Sequence, residues 1–167
     1  MIKKDSSFFN LNSKFLLEYL IKNSLSLGAL ISNNSSTNLN EKKYSSTSVN
    51  SFGFTFNSNH QDNRINPTRG YSISSDFSYG WKQTYNLDSS QTNILRTPNF
   101  CGNLNFNNYF KILNRSTFKI GILASSIQNE IIYENEFSRI GGYKTIRGFD
   151  EESIWVSSFL ITNLELR

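Results

Sequence analysis

The sequence predicts an all-β chain: an antiparallel transmembrane β-barrel domain over residues 1–167, built here from about seven strands. Three observations point there. Apolar and polar residues alternate with period two through most of the chain, which puts them on opposite faces of a strand. The connections between alternating stretches run short, long, short, long, short, long, the rhythm of a barrel with tight turns at one end and loops at the other. Hydrophobic residues make up only 37% of the chain, yet aromatics reach 14%, a mix suited to pleated structure with one greasy face.

In the first strand, about 8–20, Phe9, Leu11, Phe15, Leu17 and Tyr19 share a face opposite Asn10, Asn12, Lys14 and Glu18. Leu16 and Leu20 break the pattern. Lys22-Asn23 makes a turn, and 24–33 places Leu25, Leu27, Ala29 and Ile31 against Ser26, Gly28 and Ser32. The polar stretch 33–47 reads as a long loop. Strand 48–59 alternates Phe52, Phe54 and Phe56 with Gly53, Thr55 and Asn57. A turn over 60–69 carries Asn66-Pro67-Thr68-Arg69 and ends at Gly70. Strand 70–83 is the cleanest, with Tyr71, Ile73, Phe77, Tyr79 and Trp81 opposite Ser72, Ser74, Asp76 and Ser78. A second long loop covers 84–96. Strand 100–113 sets Leu104, Phe106, Phe110 and Ile112 against Asn103, Asn105, Asn107 and Lys111. Asn114-Arg115 turns the chain into 117–128, where Phe118, Ile120, Ile122 and Ala124 oppose Lys119, Gly121 and Ser125. A loop over 129–152 precedes the final strand, 153–166, with Leu160, Leu164 and Leu166 opposite Asn163 and Glu165.

A soluble antiparallel sandwich also has one dry and one wet face. Strand length and the loop rhythm favour the barrel, because about 9–11 residues per strand cross a bilayer at a tilt. Tyr19, Tyr71, Trp81, Tyr109 and Trp155 fall near strand ends, where an interfacial aromatic girdle would sit.

Composition narrows the function. A net charge of +4, from 17 Lys+Arg and 13 Asp+Glu, with no long basic run, does not suit nucleic-acid binding. One cysteine, Cys101, rules out an internal disulfide framework, and one histidine, His60, makes a histidine-based metal or catalytic centre improbable. Ser58, His60 and Asp62 lie close in sequence but occupy a turn, with no nucleophile elbow around them. Asp150-Glu151-Glu152 lacks the spacing of a calcium loop. No enzyme activity, catalytic residue, metal or cofactor is expected. No run of about 18 apolar residues occurs, so no transmembrane helix is predicted. Met1–Asn10 carries Lys3 and Lys4 but not the apolar core of a signal peptide, so an export signal is expected outside this chain.

The stretch Arg139-Ile140-Gly141-Gly142-Tyr143, followed by Thr145-Ile146-Arg147-Gly148-Phe149, resembles the signature loop of the BamA/TamA-type outer-membrane barrel family, the bacterial surface-antigen barrels. Asn66-Pro67-Thr68-Arg69-Gly70 is similar to that family's Pro-Thr-(Arg/Asp)-Gly turn, and Leu164-Glu165-Leu166-Arg167 to the Glu-bearing strand after the loop. The three landmarks stand in the family's order, and the resemblance covers essentially the whole chain.

The resemblance implies the sixth to twelfth strands of a sixteen-strand barrel in a bacterial outer membrane. It implies assembly and insertion of other β-barrel proteins, with outer-membrane lipid, unfolded β-barrel precursors and accessory assembly lipoproteins as partners. A polypeptide-secretion transporter of the same superfamily is the alternative, and a passive porin a weaker one. The loop 129–152 is expected to fold into the lumen. There Arg147 would bind the inner wall, with Glu165, Asp76 and Glu18 as candidate partners in this chain. Gly148 would allow close approach, and Ile146 and Phe149 would add apolar contact. Seven strands alone would leave two unpaired edges in lipid, costing on the order of tens of kcal/mol, so a fragment of a longer protein is expected.

Overall fold

The computed structural model describes residues 8–38, 46–86, 93–113, 116–133 and 136–167. Lys3, Lys4, the turn at Asn114-Arg115, and the centres of the two polar loops (39–45 and 87–92) lie outside the described residues. The strands are β1 (Phe8–Lys22), β2 (Leu25–Asn38), β3 (Ser46–Asn59), β4 (Gly70–Asn86), β5 (Asn93–Leu113), β6 (Ser116–Gln128), β7 (Ser138–Ile140), β8 (Ile154–Val156) and β9 (Ser158–Leu166). Seven of them form one antiparallel sheet in the order β1-β2-β3-β4-β5-β6-β9, and β7 and β8 form a separate two-stranded ribbon.

The predicted pattern fixes the register. Leu17, Ala29, Phe54 and Phe77 lie side by side across β1 to β4, while Gly28, Thr55, Asp76 and Asn103 line up on the other face of β2 to β5. One greasy surface therefore runs across the whole sheet. It stays open: Phe15 is 67% exposed, Phe54 59% and Leu160 70%. Among the described residues only Leu30, Tyr109 and Ile140 are buried hydrophobics, whereas eleven polar or charged residues are buried, Lys82 and Thr55 most deeply. Burial is thus inverted relative to a soluble domain. A sandwich, which would bury its greasy face against a second sheet, is not formed.

The sheet curls with its polar face inside. Lys14 aligns through Ser32 and Ser51 with Gly80, four residues from Asp76. A flat sheet would hold the Lys14 and Asp76 backbones about 20 Å apart, more than the two side chains can bridge, yet Lys14 Nζ lies 4.0 Å from Asp76 Oδ2. A cavity of about 280 Å³ in the trough is lined by Asn10 and Asn12 of β1 together with Cys101 of β5 and Ile127 of β6. Side chains meeting across the interior characterise narrow barrels of about eight strands. The wall of a sixteen-strand cylinder would be flatter, so the curl is tighter than the resemblance implies.

The sheet is open. All its pairings are antiparallel, so with seven strands β1 and β9 run in the same direction.

Several elements differ from the sequence reading. The loops expected over 33–47 and 84–96 are shorter, because β2 continues to Asn38, β3 begins at Ser46, β4 continues to Asn86 and β5 begins at Asn93. These extensions carry polar residues on both faces, which erased the alternation. Pro98 is tolerated inside β5 because β6 pairs only from Phe100 onward, so Pro98 lies where that side of β5 has no ladder to break. The expected final strand 153–166 is divided at Ser157 into β8, in the ribbon, and β9, in the sheet. Tyr109 and Trp155 do not join the outer aromatics. Tyr109 opposes Gly70 and Lys119 on the polar face and is buried, and Trp155 belongs to the ribbon.

Candidate functional site

Between β6 and β9, residues 129–133 and 136–139 lie against the polar trough. Ser138 and Arg139 of β7 line a cleft with Ser74, Asp76, Asn103 and Asn105, all on the inner face. The Arg139 guanidinium stacks 4.6 Å from the Trp155 ring centre and lies 3.8 Å from a Glu152 carboxylate oxygen.

The turn closing the ribbon depends on backbone freedom. Gly141 has φ 126° and Gly142 φ 86°. A Cβ on Gly141 would sit 2.3 Å from the Asp150 carbonyl oxygen, so no side chain fits there. Thr145 organises the turn: its hydroxyl accepts from the Gly141 N–H at 2.8 Å and donates to the Gly141 carbonyl at 2.9 Å. The Gly142 N–H donates to the Phe149 carbonyl at 3.2 Å, which closes the segment holding Arg147.

Arg147 itself is exposed and makes no hydrogen bond or ion pair among the described residues. The candidate wall carboxylates are engaged elsewhere. Glu18 accepts from Asn57 Nδ2 at 3.0 Å, Asp76 faces Lys14, and Glu165 takes Lys119 at 3.3 Å and Arg167 at 2.8 Å. Gly148 has φ 92°, but a Cβ there would meet nothing within 4 Å, so its role is conformational and not one of close approach. Ile146 is half-buried, while Phe149 stays 55% exposed.

The loop is attached at its entry. Asn129 Nδ2 donates to the Pro98 carbonyl at 3.0 Å, and Asn129 Oδ1 accepts from the Thr97 hydroxyl at 3.1 Å. Lys82 of β4 lies beneath with its side chain 1% exposed. Its ammonium donates to the Glu136 carboxylate and, at 2.7 Å, to the Ile131 carbonyl, and lies 4.5 Å from the Tyr133 ring centre. The same Glu136 oxygen accepts the Tyr133 N–H at 2.9 Å. Sequence reasoning missed this cluster. The one available signal was Lys82, a cation continuing the polar face of the cleanest strand.

At the opposite end of the sheet, Asp62 organises the 60–69 turn. Its carboxylate accepts from the Thr68 hydroxyl at 2.6 Å and from the backbone N–H groups of Thr68, Arg69 and Asn63. The Thr68 hydroxyl bond, then these backbone bonds, lower its pKa to about 2. Pro67 is buried in this turn, and a Cβ on Gly70 (φ 101°) would collide with the His60 carbonyl oxygen at 1.9 Å. His60 stacks on Tyr71 and lies between Ser58 at 3.3 Å and Ser24 at 3.1 Å. Asp62 bonds to the turn backbone rather than to His60, so these residues brace two hairpins and do not form a relay.

No family model, curated protein or solved structure matches the chain.

Proposed function

We propose that the chain is wall and lumenal loop of a bacterial outer-membrane barrel of the BamA/TamA type, which helps insert and fold other β-barrel proteins. The observation that carries this reading is the loop between β6 and β9, whose entry and first ribbon strand lie against the polar, concave side of a sheet whose convex side is greasy and uncovered. The apolar run on β4 supports it. From Tyr71 to Trp81 it covers about 34 Å of strand. At a tilt of about 40° that gives a height of about 26 Å, close to the ≈25 Å outer band of such barrels. Parity is compatible too. Because β1 and β9 are parallel, antiparallel closure needs an odd number of further strands, and nine would make sixteen.

In this reading the barrel catalyses no chemical step. Its exposed strand edges and the disturbed bilayer around them lower the barrier for a precursor to pair its strands. Outer-membrane lipid and unfolded β-barrel precursors are the partners, with accessory assembly lipoproteins beside them. Reconstitution into preformed vesicles tests it. A full-length barrel carrying this wall and loop should accelerate insertion of an unfolded barrel precursor, and an unchanged insertion rate would overturn the assembly role. Passage of an unfolded polypeptide into the vesicle interior would instead favour secretion, and ion conduction alone a porin.

A further inference from the structure

We propose that Lys82 is the positioning residue that holds the inward loop on the wall and closes the cavity beside Cys101. The role expected of Arg147 is thereby carried by a cation on the wall that reaches up to the loop. Three groups of the loop converge on one ammonium: the Ile131 carbonyl, the Tyr133 ring and the Glu136 carboxylate. Glu136 also lines the cavity that contains Asn99 and Cys101, so the residue that receives Lys82 forms part of the cover.

The physical case is the cost of an orphaned charge. Lys82 is almost fully enclosed. If the loop lifted away, the ammonium would lose an anionic partner, a carbonyl and an aromatic face at once. If Lys82 were neutral, Glu136 would lose the cation that balances it. Removing one partner of a buried pair is far more disruptive than losing an exposed contact. Arg147 has no such coupling. The latch goes beyond the membrane reading, because the pair would close the cavity whether or not the convex face meets lipid.

The chain supplies its own reporter, since Cys101 is its one cysteine. Its thiol sits on the covered side, accepting from Asn99 Nδ2 at 3.3 Å. The test is the rate of Cys101 modification by a polar maleimide in the folded full chain. Cys101 is half-buried in the parent, so Lys82→Met should raise that rate on the order of ten-fold through local opening. Tyr133→Leu, a milder change that keeps the ion pair, should raise it several-fold. Lys82→Arg, which keeps the cation and its N–H donors, should stay within a few-fold of the parent value, which loss of the charge would not. Arg147→Ala should leave it unchanged. A parental rate in Lys82→Met overturns the proposal, as does equal acceleration by Arg147→Ala. Should Lys82→Met fail to fold, Tyr133→Leu and Glu136→Gln decide: both should accelerate modification, and a parental rate in both would overturn it.

Discussion

Phe54→Arg places a charge at the centre of the greasy face. Phe54 pairs with Phe77, next to the midpoint of the Tyr71–Trp81 run, so a bilayer around this face would put its midplane there. An arginine at such a depth costs about 2–4 kcal/mol. The substitution also removes a ring contact to Phe77 at 5.3 Å, which is worth about 0.5–1.5 kcal/mol. Together the expected loss is about 3–5 kcal/mol in lipid. If water bathed this face, the side chain, already 59% exposed, would be replaced at a cost within about 0.5 kcal/mol plus the ring contact. The assay is urea unfolding of the chain refolded in phosphatidylcholine vesicles, followed by tryptophan fluorescence. Asn105→Arg, on the exposed polar face of β5, is the control and should cost little. A loss under about 2 kcal/mol for Phe54→Arg, or equal losses for the two variants, would refute a lipid-facing convex surface.

The other outcomes are narrower. Trp81 faces outward and Trp155 lies on the ribbon. With brominated lipid, quenching should therefore persist in Trp155→Phe and largely vanish in Trp81→Phe; the reverse would place the ribbon against lipid. Gly141→Ala must accept both a positive φ and a carbonyl 2.3 Å away, whereas Gly148→Ala meets only the dihedral cost of about 1–2 kcal/mol. Proteolysis at Arg139 and Lys144 should accelerate much more in the first variant, and equal acceleration would contradict the turn geometry. Because Asp62 is held near pKa 2, against an ordinary value of 3.8, the unfolded turn binds the extra proton as pH falls through that window. The 60–69 turn should therefore loosen between about pH 4 and pH 2, seen as lost amide protection at Thr68, and Asp62→Asn should abolish that dependence. Arg147→Ala should change stability by no more than about 0.5 kcal/mol, measured by the same urea unfolding.

The strands were legible because a single physical rule, one face greasy and one wet, is written at every second residue. What exceeded that rule was lost. Asn33 to Thr37 and residues 94–99 are paired, yet polar residues fall on both faces there, so they read as loop. The ribbon was invisible because three residues per strand carry no period. Tyr109 shows a different failure. Its parity with Asn107 and Lys111 already assigned it to the polar face, but its chemistry suggested a girdle, and the register prevailed. The Lys82 cluster was beyond reach for another reason: it joins residues 49 and 54 positions apart, and no local pattern encodes that pairing.

The tight curl and the strand parity constrain what completes this sheet. One further strand between β9 and β1 would satisfy antiparallel closure and match the narrow trough, whereas nine would satisfy the parity but require the trough to open. Lys14 and Asp76 separate the two cases. In a narrow barrel the two backbones stay close enough for these side chains to meet across the trough; in a wide one the wall flattens and the backbones separate toward the flat-sheet value of about 20 Å. Cysteines at both positions, in a Cys101→Ser background, should crosslink with a short bifunctional reagent in the narrow case. In a sixteen-strand barrel they should fail to do so. Efficient crosslinking in the membrane would therefore contradict the wide barrel while leaving the greasy outer wall, and the loop beneath it, as they stand.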